Sequence, residues 1–168
     1  MGKASNAYLL PDTVSDVAAG LIDPLMVAYH AIHQSGLKLH DKVLVVGSGI
    51  IGQLIGGFDI AFEVVGAGET LDTCIDGVRP GGKIVMIGNS MDPKVEFDMN
   101  RTVLCEISVI GSVSCTRVEF EETIDLIAKG MIDPEKYVTD VLPLDQLQNA
   151  FEHLTSKTDP VLKIVIKP

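Results

Sequence analysis

Lys42-Val43-Leu44-Val45-Val46-Gly47-Ser48-Gly49-Ile50-Ile51-Gly52 joins an unbroken apolar run to three glycines spaced two and then three residues apart. Four consecutive apolar residues predict a strand of the kind that parallel sheets bury on both faces. Each glycine has a mechanical reason. Gly47 permits the tight turn off the strand, Gly49 lets the backbone approach a pyrophosphate, and Gly52 lets a helix pack closely on the strand. A diphosphate would rest on the free N–H groups and the positive dipole end of that helix, against Gly47, Ser48, Gly49, Ile50, Ile51 and Gly52. A glycine pattern alone is weak evidence; its position directly behind a hydrophobic strand strengthens it.

Working outward, Ser15 predicts the cap of a short helix reaching about Leu21. Asp23-Pro24 predicts the cap and first position of a second helix, which Gly36 closes. Phe58–Val65, Lys83–Gly88 and Ile107–Gly111 read as further strands, with a helix over Glu69–Asp76 and a turn at Arg79-Pro80-Gly81-Gly82. Glu119–Lys129 is amphipathic, with Phe120, Ile124, Ile127 and Ala128 on one side. Asp145–Leu154 reads as a helix and Val161–Ile166 as a last strand. Strands alternating with helices predict an α/β fold, a doubly wound parallel sheet of Rossmann-like type, incomplete, with short flanking segments of another domain.

Composition narrows the function. The chain of 168 residues carries 13 Lys and Arg against 23 Asp and Glu, a formal charge of −10. That balance opposes nucleic-acid and anionic-membrane partners, which are bound through clustered basic residues. No apolar run approaches the length of a membrane helix, and no secretory leader is expected. Cys74, Cys105 and Cys115 are odd in number and widely spaced, so reduced thiols of a cytoplasmic protein are expected.

Asp23-Pro24-Leu25-Met26-Val27-Ala28-Tyr29-His30-Ala31, the strand and glycine loop, Phe58–Gly66, Gly81–Gly88, Gly111-Ser112 and Leu162–Ile166 follow one another in an order that resembles the zinc-dependent medium-chain dehydrogenases. The resemblance is strongest to their polyol, sorbitol and secondary-alcohol branch. It implies NAD-dependent oxidation of a secondary alcohol or polyol in the intact enzyme, with zinc polarising the substrate oxygen, and a homo-oligomer. NAD is the expected cofactor and NADP stays open, because the strand end that discriminates them is absent. The resemblance places the backbone of Val65, Gly66, Ile87 and Gly88 against ribose and nicotinamide, and Lys163 against the cofactor diphosphate. Asp23 aligns with an acid that approaches the zinc, usually through water; a plain helix cap is the competing reading. His30, His33 and His40 are spaced for a metal but lack an evident third ligand. Glu63 has two readings, a ribose contact if the shortened chain rearranges and, more simply, a buried acid at a strand end near the cofactor edge. Ser114 and Cys115 fall in a loop that the family places near substrate, with no neighbouring base to make either a nucleophile.

Two departures from the family stand out. Nothing between Met1 and Leu39 supplies a family-type zinc site. Only Gln53-Leu54-Ile55-Gly56-Gly57 separates Gly52 from Phe58, too little for a cofactor helix, a second strand and its ribose-reading acid. The expected organisation is a remnant of the catalytic domain and linker over 1–22, a nicotinamide-binding domain over 23–140 with a gap near 53–58, and a returning helix and strand over 141–168. Consecutive residues in that gap are expected not to be neighbours in the parent enzyme. The chain alone is expected to oxidise no alcohol and to bind NAD weakly or undetectably. The alternative is a non-catalytic nucleotide-binding or oligomerisation module.

Overall fold

The computed structural model describes residues 7–47, 57–90, 94–156 and 161–168, which form two compact units: one from the residues up to Met26 with Thr116–Pro168, the other from Val27–Cys115. The second unit is built on a four-stranded parallel sheet, β1 (Val43–Val46), β2 (Phe58–Glu63), β3 (Val78–Met86) and β4 (Ser108–Gly111), in the spatial order 1-2-3-4. Val45 stands beside Phe62, Phe62 beside Val85, and Val85 beside Ile110. All carboxyl ends therefore open on one edge of the sheet.

Both faces of the sheet are covered. Helix α3 (Gly68–Gly77) lays Leu71, Cys74 and Ile75 on Leu44, Ala61 and Ile84. On the other face Ala31, from α2 (Ile22–Ser35), packs with Ile60, Phe62 and Val85. Gly36, at φ +65°, ends α2, and the Lys83 ammonium donates to the carbonyl of Ser35 at 2.9 Å, a cation on the negative end of the helix dipole. The parallel α/β sheet thus stands as expected.

Several details differ from the sequence reading. The apolar run of β1 is buried on one face only: Leu44 is 5% exposed, whereas Val45 is 54% exposed. The cover given by Ala31 lies over β2 and β3 and leaves the Val45 side of β1 open. Arg79–Gly82 is not a free turn but an interruption within β3. Val78 pairs with Phe58 and Lys83 with Ile60, so a bulge absorbs these residues, with Gly81 at φ +74°. Asp23 is no cap. Helix α2 begins one residue earlier, and its first-turn bond runs from Leu25 N–H to the Leu21 carbonyl, leaving Asp23 exposed in the first turn. A short helix, α4 (Met99–Leu104), capped by the Asp98 carboxylate on the Arg101 N–H, was not anticipated.

The first unit holds α1 (Asp16–Ala19), α5 (Arg117–Ala128), β5 (Asp140–Pro143), α6 (Leu147–Ser156) and β6 (Ile164–Lys167). Ser15 caps α1 as its side chain requires, accepting from Ala18 N–H at 3.0 Å. Thr116 and Glu119 form a reciprocal capping box on α5. Ile124, Ile127, Phe120 and Ala128 of α5 pack with Val14, Ala18 and Ile22, the side its periodicity marks as apolar. Strands β5 and β6 make a separate parallel pair; β5 was not anticipated, and α6 starts at Leu147 after a 3-10 turn over Leu144–Gln146.

Candidate functional site at the carboxyl edge of the sheet

The loops leaving β1, β2 and β3 are locked together by backbone, and glycine is what lets them close up. A Cβ at Gly47 would lie 2.3 Å from the Cγ2 of Val64. One at Gly66, where φ is +82°, would lie 2.7 Å from the carbonyl carbon of Asn89. One at Gly88 would lie 2.1 Å from the Gly66 nitrogen and 2.5 Å from the Val65 carbonyl carbon. Main chain cannot swing aside as a side-chain tip can, so Gly66 and Gly88 are fixed by this close approach. The interlock is extended by hydrogen bonds past the strand ends. The Glu63 carbonyl accepts from Ile87 and Gly88 N–H at 2.8 and 3.0 Å, and the Met86 carbonyl accepts from Ser112 N–H at 2.9 Å.

Glu63 holds this edge from beneath. Its side chain is fully buried. One carboxylate oxygen accepts from Val65 N–H at 2.8 Å, Gly66 N–H at 2.9 Å and the Thr70 hydroxyl at 2.8 Å. The acid near the cofactor edge is therefore spent on shaping the loop, the simpler of the two readings its position allowed. Cys74 lies in the same core: burial, and secondarily the Glu63 charge, push its thiol pKa up to about 12, which leaves it protonated and unreactive.

Above β3 and β4 the edge opens into a groove of about 570 Å³, lined by Val27, Ile87, Gly88, Asn89, Ser112 and Ser114 among others. That volume lies within the range of small-molecule and cofactor sites. Among the described residues the hydroxyl of Ser112, a residue in the groove lining, is buried without a hydrogen-bond partner. A buried polar atom left unpaired costs about 1–3 kcal/mol. Ser114 holds a left-handed backbone at φ +54° in the same loop.

Of the candidate residues, Gly47, Val65, Gly66, Ile87 and Gly88 gather at this edge, while Ser48, Gly49, Ile50, Ile51 and Gly52 lie outside the described residues, as do Gln53, Leu54, Ile55 and Gly56 of the short stretch before Phe58. Lys163 and Asp23 belong to the other unit, where the Lys163 carbonyl accepts from Thr139 N–H at 2.8 Å. Among the described residues no three His, Cys, Asp or Glu side chains gather as a metal site. His33 packs on Tyr29 with ring centroids 4.4 Å apart and the planes tilted by 48°, and His30 lies 3.4 Å from the Gln34 amide. Asn89 and Val27 were not anticipated. Asn89 could have been found as the residue following a strand-end glycine; Val27 reaches the groove only through the tertiary placement of α2.

The opposite, amino edge of the sheet carries a cleft of about 120 Å³ lined by Ser35, Asp59, Arg79 and Lys83 among others. Asp59, Arg79 and Lys83 there are engaged. Asp59 accepts from Lys42 N–H at 2.8 Å and Arg79 Nε at 2.6 Å, and these two donors hold its pKa below the ordinary carboxylate value.

Comparison with known proteins agrees with this geometry. Residues 45–129, just over half of the chain, match the family of zinc-binding dehydrogenases. The (R,R)-butanediol dehydrogenase of Neisseria gonorrhoeae is 25% identical over 202 residues, covering 89% of this chain and 56% of that protein. A sorbitol dehydrogenase of Halalkalibacterium halodurans is 20% identical over 220 residues, covering 100% of this chain and 64% of that protein. Set against the 168 residues of this chain, those 220 aligned positions leave 52 without a counterpart here. A short chain alcohol dehydrogenase of E. coli, solved with NADH, superposes with a TM-score of 0.86 at 19% identity over 98% of this chain and 63% of that one. The chain thus spans less than two thirds of the length of each. By its family match and its Rossmann-like sheet, the chain belongs to the zinc-binding dehydrogenases, the medium-chain alcohol and polyol type that its sequence resembles.

Proposed function

We propose that this chain is the nicotinamide-binding part of an oxidoreductase that oxidises a secondary alcohol or polyol. The observation that carries the proposal is the groove at the carboxyl ends of β3 and β4, bounded by the Gly66–Gly88 interlock and with Ser112 in its lining. Parallel α/β sheets bind their ligands at that edge. The groove supplies apolar walls from Val27 and Ile87 for a flat heteroaromatic ring, and the Ser112 hydroxyl for a carboxamide or ribose oxygen. The rigid Gly66 and Gly88 backbone lets a sugar approach without meeting a side chain. When bound, a nicotinamide accepts or returns the hydride. This chain's part is to bind and orient that ring and to keep water from one of its faces.

NAD is the preferred cofactor, as the NADH complex of the E. coli structural relative supports; a homo-oligomer in the cytoplasm is the expected setting. Asp23 remains at most an outlying contributor to a metal site. The described residues do not fit a zinc ion, so no step is assigned to one here.

The test is ligand-observed saturation-transfer NMR with millimolar NAD. Saturation of the nicotinamide protons, lost in Gly88→Val and weakened in Ser112→Ala, is expected. Absence of any saturation with protein shown to be folded would refute the reading. Purified chain supplied with zinc and NAD should show no turnover of alcohols. Measurable turnover would place the alcohol-activating groups within these residues, against this account.

A further inference from the structure

We infer that the buried Glu63 carboxylate makes this site select the oxidised nicotinamide, whose ring carries a positive charge, over the reduced form, whose ring is neutral. The inference rests on the cofactor reading above and concerns which redox form of that cofactor the chain prefers.

Glu63 is the one buried carboxylate of the sheet unit among the described residues. Both of its oxygens face backbone N–H donors. One accepts from Val65 and Gly66 at 2.8 and 2.9 Å, and the other lies 3.1 Å from the Gly66 nitrogen. Such contacts are those of an ionised, acceptor-only carboxylate. No Lys, Arg or His pairs with it among the described residues. The hydrogen bonds fill its lone pairs without cancelling its charge, so a full negative charge stands in the interior under the strand ends. Its field reaches the neighbouring core: after burial, it is the second cause that raises the Cys74 thiol pKa.

The charge lies close to the groove. One oxygen is 2.9 Å from the Gly66 nitrogen, and a Cβ at Gly88 would stand 2.1 Å from that same nitrogen. With a C–C bond of about 1.5 Å, the Gly88 Cα is at most about 6.5 Å from the carboxylate. Gly88 lines the groove, so a ring resting on it at a contact distance of about 3.5–4 Å stands about 10 Å from the charge. Over that distance one elementary charge favours a cation by about twofold at the dielectric constant of water. At the effective value typical of protein sites the factor is about fifteen. None of the described residues lining the groove is ionisable, and residues 48–56 carry no ionisable side chain. The charge that separates the two ring forms at this edge is therefore that of Glu63.

The experiment titrates the full chain with NAD and, separately, with NADH. It reads each Kd from the amide shifts of Gly88 and Ser112 in the folded protein. Both forms carry the same diphosphate and adenosine, so the ratio of the two Kd values isolates the ring. We expect wild type to bind NAD at least about threefold more tightly than NADH. That preference should persist from about 0.05 to about 0.5 M salt, because a buried charge is screened little. Glu63→Gln should lower the ratio by about threefold or more. Glu69→Gln, which removes an exposed acid of α3, should leave it unchanged. Thr70→Ala removes the hydroxyl 2.8 Å from Glu63 but keeps the charge, and should change both affinities by one factor. NADH binding as tightly as NAD, a preference that vanishes at high salt, or a ratio unmoved by Glu63→Gln would overturn the inference and leave the cofactor reading intact. A ratio moved as far by Thr70→Ala would also overturn it, by assigning the effect to loop shape. If neither form binds, both readings fall. Where Glu63→Gln does not fold, the wild-type ratio and its salt dependence decide.

Discussion

Glu63→Ala should be among the most destabilising single changes in the sheet unit, although Glu63 touches no ligand in this account. The fully buried carboxylate is the acceptor for Val65 N–H, Gly66 N–H and the Thr70 hydroxyl. Hydrogen bonds to a charged acceptor contribute about 1.5–3 kcal/mol each, and a stranded buried donor costs about 1–3 kcal/mol. Water entering the vacated space recovers part of that, so a net loss of about 3–5 kcal/mol is expected for three donors. In a chain of this size 1 kcal/mol moves Tm by about 2–4 °C, which gives a fall on the order of 10 °C. Glu63→Gln can keep its carbonyl oxygen where the three donors meet, but it loses the charge and sets an NH2 at the position 3.1 Å from the Gly66 nitrogen, and should cost about half as much. Urea unfolding with m held constant, together with a thermal scan, measures both variants. A loss under about 1 kcal/mol for Glu63→Ala would refute the claim that this carboxylate holds the strand-end loops.

Gly88→Ala forces a Cβ to 2.1 Å from the Gly66 nitrogen, and should cost upwards of about 3 kcal/mol and abolish nicotinamide saturation. Gly111→Ala has open space and should leave the fold near wild type; comparing the two by thermal melt checks the interlock. Thr116→Ala removes the hydroxyl of the α5 capping box and should cost about 1 kcal/mol in urea unfolding. Cys74 has a folded pKa raised to about 12 against an ordinary 9.0. The protonated thiol therefore supports the fold fully below pH 9, and that support is lost as pH rises from 9 to 12, at about 1.4 kcal/mol per pH unit. Cys74→Ala should flatten that part of the stability profile, and a thiol reagent at pH 8 should leave Cys74 unmodified in folded protein.

The parallel sheet was legible because β2 and β3 are apolar runs bounded by glycines, and because Phe120, Ile124 and Ile127 repeat at helical spacing. What escaped was set by tertiary structure or by brevity. Val43 and Val45 read as buried, yet their exposure depends on how far the cover from α2 extends. Helix α4, with six residues, is too short to show periodicity, and its signal was the Asp98 cap alone. Strand β5 has four residues and ends in Pro143. At the site, the strand-end glycines were visible as a pattern. That Gly66 and Gly88 need each other is a fact of backbone approach across two strands. The unpaired Ser112 hydroxyl depends on what does not surround it, which no spacing encodes.

The central claim is that the carboxyl edge of β2, β3 and β4 receives a nicotinamide unit. Backbone amide shifts recorded by heteronuclear NMR during an NAD titration test it most directly. The account predicts saturable shifts gathered at Gly66, Ile87, Gly88, Asn89, Ser112 and Ser114. Shifts at Ser35, Asp59 and Lys83 on the amino edge instead, or none at saturating NAD, would contradict it.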